Sequence, residues 1–138
     1  MFGITDGFDV VIGNPPYGLD YSDIEKKYFQ QNYLSTKTIT GIQKGSLDSF
    51  TIFIEQGYNV LKKNGNLNFI VPIYITSSDS MTALHKLLEE NCETIKISSY
   101  SVRPQPIFYR TTGGRYFKII TNYSTGSTKE KPIYFEKN

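Results

Sequence analysis

Cysteine and histidine each occur once in the 138 residues, as Cys92 and His85. A single copy of each cannot build a disulfide framework or a Cys/His zinc site, so no metal is expected. Apolar runs long enough to span a membrane, about 20 residues, are also missing, as is an N-terminal signal pattern. These absences lead to the expectation of a cytoplasmic protein with no membrane contact. Charge of one sign is scarce too: 15 basic against 13 acidic residues leave a net +2, too little to identify a polyanionic partner by itself.

What is present reads as one small α/β domain. Phe8 to Gly13 is a nearly continuous apolar run, as expected for a central parallel strand buried on both faces. Ser22-Asp23-Ile24-Glu25 matches a capping box that opens a short helix carrying Tyr28 and Phe29, and residues 35–45 read as loop. Phe50, Phe53, Ile54, Gly57, Tyr58 and Leu61 recur at helical spacing; Ser46 is the expected N-cap, Lys62 and Lys63 fill the last turn, and Asn64-Gly65 stops the helix. Leu67 to Val71 predicts a second buried strand. A helix over Ser78 to Asn91 turns Met81, Leu84 and Leu88 inward, and Ile95 to Tyr100 predicts a third strand. His85 and Cys92 fall on or beside that helix. The alternation implies a parallel sheet with right-handed crossovers, followed by a loop over Arg103 to Gly114 and a later strand over Tyr116 to Thr121. Residues 122–138 are expected to be a polar tail with at most one strand, around Ile133-Tyr134-Phe135.

The chemistry concentrates in Asn14-Pro15-Pro16-Tyr17. Ligands of an open parallel sheet bind beyond the carboxyl ends of its strands, and this tetrapeptide follows the first strand. Two prolines remove two N–H donors and stiffen the backbone, leaving carbonyls free to accept, while Asn14 adds a side-chain acceptor. Such acceptors can take both hydrogens of a planar amino group and draw its lone pair toward an incoming methyl carbon. Tyr17 offers an aromatic face for a flat base, a contact that survives replacement by phenylalanine. Ring-carbon methylation of cytosine is not expected, because it needs a thiolate nucleophile and Cys92 follows Asn91 near a helix end.

The run from Phe8 through Gly18, the Leu47-Asp48-Ser49-Phe50…Phe53-Ile54-Glu55 helix and the Gly65…Phe69-Ile70-Val71-Pro72 strand resemble the adenine-N6 DNA methyltransferases. The resemblance is to their Taq-type branch, which includes fused type II restriction-modification enzymes. It covers about Gly7 to Thr121. It implies the second half of a Rossmann-like S-adenosylmethionine-dependent methyltransferase domain over residues 1–121, with parallel strands, flanking helices and a late antiparallel strand. It also implies methyl transfer from S-adenosylmethionine to the exocyclic amino group of adenine in double-stranded DNA. Asn14 and Pro15 would bind that amino group on the support of Pro16, and Tyr17 would stack on the flipped base. Phe108 would touch its edge. Arg103, Arg110 and Arg115 around Phe108 are candidate phosphate contacts.

The family's main cofactor motif lies upstream of the matching segment, so no cofactor residue is assigned. The chain is expected to be the inactive middle of a longer enzyme, lacking a cofactor half and a target-recognition domain. Its first strand would then have an open side, which invites self-association or coverage by Ile133-Tyr134-Phe135. The alternatives are methylation of a protein glutamine, methylation of a ribosomal RNA guanine, or DNA binding without catalysis.

Overall fold

The computed structural model describes the backbone of residues 6–100, 116–123 and 133–137, and the side chains of residues 6–98. A five-stranded sheet organises it: β1 (Phe8–Gly13), β2 (Leu61–Pro72), β3 (Cys92–Tyr100), β4 (Tyr116–Tyr123) and β5 (Ile133–Lys137), in the spatial order β1-β2-β4-β3-β5. β1 pairs in parallel with β2 and β5 in parallel with β3. β4 runs antiparallel between β2 and β3, with Phe69 opposite Ile119 and Ile97 opposite Ile119 on its other side. Three helices accompany the sheet: α1 (Asp23–Asn32), α2 (Ser49–Asn59) and α3 (Thr82–Asn91), and two short 3₁₀ turns lead from β2 into α3. The expected parallel sheet with one late antiparallel strand is thus present, and that strand sits inside the sheet.

The core lies on one face. Phe50 and Ile54 of α2, Leu67, Phe69 and Val71 of β2, and Leu84, Leu87 and Leu88 of α3 form a single buried cluster. Alternation along β2 places every second residue inward, as a half-buried strand requires. Each of these large side chains contributes about 1.5–3 kcal/mol by leaving water. Phe69 reaches α2 because glycines stand on both sides of its ring: a Cβ on Gly13 would come 2.6 Å from its Cε1, and one on Gly57 would come 2.9 Å from its Cε2.

This one-sidedness corrects the reading of β1. Its apolar run predicts a central strand buried on both faces, but β1 is an edge strand in which only Val11 packs on the core, while Val10 and Ile12 are 52% and 79% exposed. A continuous apolar run records what a strand is suited to lie against, and among the described residues nothing covers that outer face. The single strand expected in the tail forms, but the suggestion that it covers the β1 edge is corrected. Ile133-Tyr134-Phe135 pairs with Ile95, Lys96 and Ile97 of β3, at the opposite edge from β1.

The α1 capping box forms in full, with Ser22 Oγ accepting from the Glu25 N–H and the Glu25 carboxylate accepting from the Ser22 N–H. The ends of α2 differ from expectation. Ser46 is not its N-cap: the Ser46 hydroxyl takes the Asp48 N–H at 3.0 Å, and Asp48 becomes the cap residue without a capping bond from its own side chain. At the other end the helix stops at Asn59, and Lys62, Lys63, Asn64 and Gly65 lie in β2. There Asn64 takes a positive φ of 62°, and the pairing shifts from Phe8–Leu61 to Val10–Asn66. Asn-Gly suits a left-handed kink in a strand as well as a helix stop.

Candidate active site

Asn14-Pro15-Pro16-Tyr17 continues directly from the carboxyl end of β1, where the last β1–β2 pair is Gly13–Phe69. Asn14 is exposed, Pro15 buried, and Pro16 and Tyr17 half-buried. Ser49, the first residue of α2 and fully buried, donates its hydroxyl to the Pro16 carbonyl at 2.6 Å. Of the two proline carbonyls, only that of Pro15 has no donor among the described residues. Tyr17 does more than present a ring. Its hydroxyl meets the Ile70 carbonyl at 2.7 Å and also the Asn14 Oδ1, so the side chain ties the loop to β2.

An aromatic wall adjoins Tyr17. Phe50 meets its ring edge-on with centroids 6.5 Å apart, and Tyr74, just past β2, meets Phe50 at 5.5 Å. Burial pushes the Tyr74 phenol up to about 12, and the neighbouring Asp48 carboxylate adds to the shift. Asp48 therefore acts on this wall and on Ser46, which donates to it at 3.0 Å. Tyr21 reaches Ser49 as well, and burial holds its phenol above the ordinary value.

Behind the tetrapeptide lies a groove of about 350 Å³ lined by Val11, Pro15, Phe53, Gly57, Val60 and Phe69 among others. Its walls are mostly apolar, and Phe53, which lines it, remains 46% exposed. Such a groove accepts a planar heterocycle better than a charged group. Sequence reasoning placed Phe53 on the helix and gave it no role. Helical spacing puts Phe53 on the same stripe as Phe50, Ile54 and Gly57, so nothing in the period marks it as the one that stays exposed.

Phe108, Arg103, Arg110 and Arg115 lie outside the described residues. Asp9 of β1 forms an ion pair with the nearby Lys62, which holds its carboxyl below the usual range. Cys92 is buried where α3 passes into β3, and His85 on α3 contacts the Ile75 carbonyl, both away from the tetrapeptide.

Comparison with solved structures defines the class. A class I S-adenosylmethionine-dependent methyltransferase from Listeria monocytogenes superposes with a TM-score of 0.68 at 21% identity, over 97% of this chain and 38% of that one. The Type ISP restriction-modification enzyme LlaBIII bound to DNA superposes at 0.67 and 17% identity, over 93% of this chain and 10% of that one. The fold is that of S-adenosylmethionine-dependent methyltransferases.

Within that class, the family model described as Eco57I restriction-modification methylase matches residues 1–108, and the chain belongs to this family. Curated relatives include the type II methyltransferase M.HincII of Haemophilus influenzae, 37% identical over 93 residues that make up 65% of this chain and 18% of that protein. The type II restriction enzyme and methyltransferase RM.Eco57I of Escherichia coli is 29% identical over 102 residues, 67% of this chain and 9% of that protein. The chain therefore spans only a small part of the length of the relatives it matches.

Proposed function

We propose that this chain carries the substrate site of a DNA methyltransferase that modifies the exocyclic amino group of adenine. The observation that carries the reading is the asymmetry of the prolines: Ser49 occupies the Pro16 carbonyl, which leaves the Pro15 carbonyl and the exposed Asn14 carboxamide as adjacent acceptors. Two acceptors match the two hydrogens of an amino group. Engaging both holds the nitrogen so that its lone pair points out of the base plane, toward the methyl donor. Tyr17, braced by Phe50, offers a ring for a base turned out of the duplex.

The apolar groove beside Pro15, with Phe53 among its lining residues, would take the purine of S-adenosylmethionine. Bound there, that cofactor supplies an electrophilic methyl on a sulfonium. Phe53, Val11 and Val60 would exclude water from it, and Asn14 and Pro15 would set the angle of approach. DNA as partner accords with the restriction-modification character of the family.

Asn14→Ala in the complete methyltransferase is expected to raise the barrier to transfer by about 2–4 kcal/mol, the effect of deleting one preorganised polar contact at a reacting centre. Affinity for DNA should hardly change. Single-turnover transfer to a duplex with labelled adenine checks both points, and an unchanged rate would remove Asn14 from the site.

A further inference from the structure

The Tyr17 hydroxyl has two oxygen neighbours, the Ile70 carbonyl at 2.7 Å and Asn14 Oδ1. A phenol carries one proton, so it can donate to only one of them. If the proton goes to Asn14, it occupies an acceptor position that a substrate amino group would need, and the Ile70 carbonyl is left facing a lone pair. Ile70 lies just beyond the last β1–β2 pair, so β1 provides no ladder donor in its place.

A second arrangement satisfies every group. The two ends of a carboxamide have nearly the same shape. Turned by half a rotation about its last torsion, Asn14 donates from Nδ2 to the phenol oxygen, and the phenol donates its proton to Ile70. The three groups then form one chain of hydrogen bonds running in a single direction, in which each bond strengthens the next. The Asn14 carbonyl then points away from the phenol, on a side chain that is exposed.

We propose that Tyr17 is a positioning residue for Asn14: its hydroxyl, anchored on the Ile70 carbonyl, selects the carboxamide orientation that presents Oδ1 to the amino group to be methylated. This rests on Asn14 being an acceptor for that amino group. The stacking role of the ring is separate and uses a different part of the side chain.

Two measurements test it. In this chain labelled with ¹⁵N-asparagine, one Nδ2 proton of Asn14 should be shifted and slowed in exchange, and Tyr17→Phe should return it to the free-amide position. An Asn14 amide that looks free in the unaltered protein overturns the proposal, whatever the enzyme does. In the complete methyltransferase, Tyr17→Phe should slow single-turnover transfer about tenfold, the size of one hydrogen bond. The fluorescence of 2-aminopurine at the target position should stay within about twofold, because the stacking ring is kept. In an Asn14→Asp background both carboxylate oxygens accept and there is no orientation to select, so Tyr17→Phe should then cost less than about threefold. Equal loss in both backgrounds, or joint loss of rate and fluorescence, assigns the hydroxyl a merely structural role and overturns the proposal. A parent enzyme that transfers no methyl group to DNA sinks the function proposed above and leaves the amide measurement to decide this one.

Discussion

The carboxylate of Glu55, 3% exposed within α2, accepts a 2.7 Å hydrogen bond from the backbone N–H of Ser35, twenty positions earlier in the chain. Its other oxygen accepts from Leu34 at 2.8 Å. The pair fastens the segment after α1 to the helix that carries Ser49 and Phe50. Glu55→Gln replaces one acceptor with a donor facing a backbone donor, which should destabilise the fold by about 1–3 kcal/mol. Urea unfolding gives the magnitude. Hydrogen exchange should quicken first at Leu34 and Ser35, and unchanged protection there would show that the loop is held by other contacts.

Ser49→Ala removes the hydroxyl that occupies the Pro16 carbonyl. The expected loss is again about 1–3 kcal/mol, since a half-buried carbonyl loses its partner. Transfer should fall by more than stability does, because the freed loop no longer fixes the spacing between Asn14 and Pro15. Thermal unfolding compared with single-turnover rates below the transition separates the two effects.

Tyr74 gives a pH signature. Its phenol ionises at about 12 in the fold, chiefly through burial, against the ordinary 10.0. A raised value favours the protonated, folded form. The associated stability is fully present below pH 10.0 and is lost as pH rises toward about 12. Absorbance titration of phenolate should show a late-ionising group that disappears in Tyr74→Phe. Asp48→Asn should move that group down only part of the way, because burial outweighs the carboxylate.

The outer side of β1 is unpaired among the described residues, and Val10 and Ile12 stand exposed beside it. An open apolar edge of this kind recruits strands from other chains. Sedimentation of this chain should show association that grows with concentration, and Ile12→Lys should suppress it without lowering stability in dilute solution. A monomer at all concentrations would mean that the edge is protected.

The parts of the fold legible in the sequence were those with a local cause. The Ser22 capping box is set by four consecutive residues, and Leu84 and Leu88 mark α3 by spacing alone; both are buried, as is Met81 in the 3₁₀ turn that takes the place of the first turn expected of that helix. The position of Asn14 to Tyr17 at a strand end was legible too, because an apolar run that stops at two prolines marks where a strand must end. What escaped depends on residues far apart in sequence. Ser46 lost the N-cap position to Asp48 through contacts with Ser35 and Asp48 that no helical period encodes. The edge position of β1 depends on which strands the rest of the chain offers. The Tyr17 hydroxyl finds its partner 53 positions away, beyond the reach of any motif.

β4 takes its place between two strands that precede it in the chain. A ribosome releases β2 and β3 before it, so for that interval their facing edges have no partner and the nascent sheet exists as two unequal halves, the β1–β2 pair and β3 alone, since β5 emerges later still. Only when residues 116–123 emerge can the halves close into one surface, a long-range step of the kind that slows folding. A product released before residue 116 would therefore be missing the middle of the sheet, leaving two exposed ladders for chaperones and proteases to recognise.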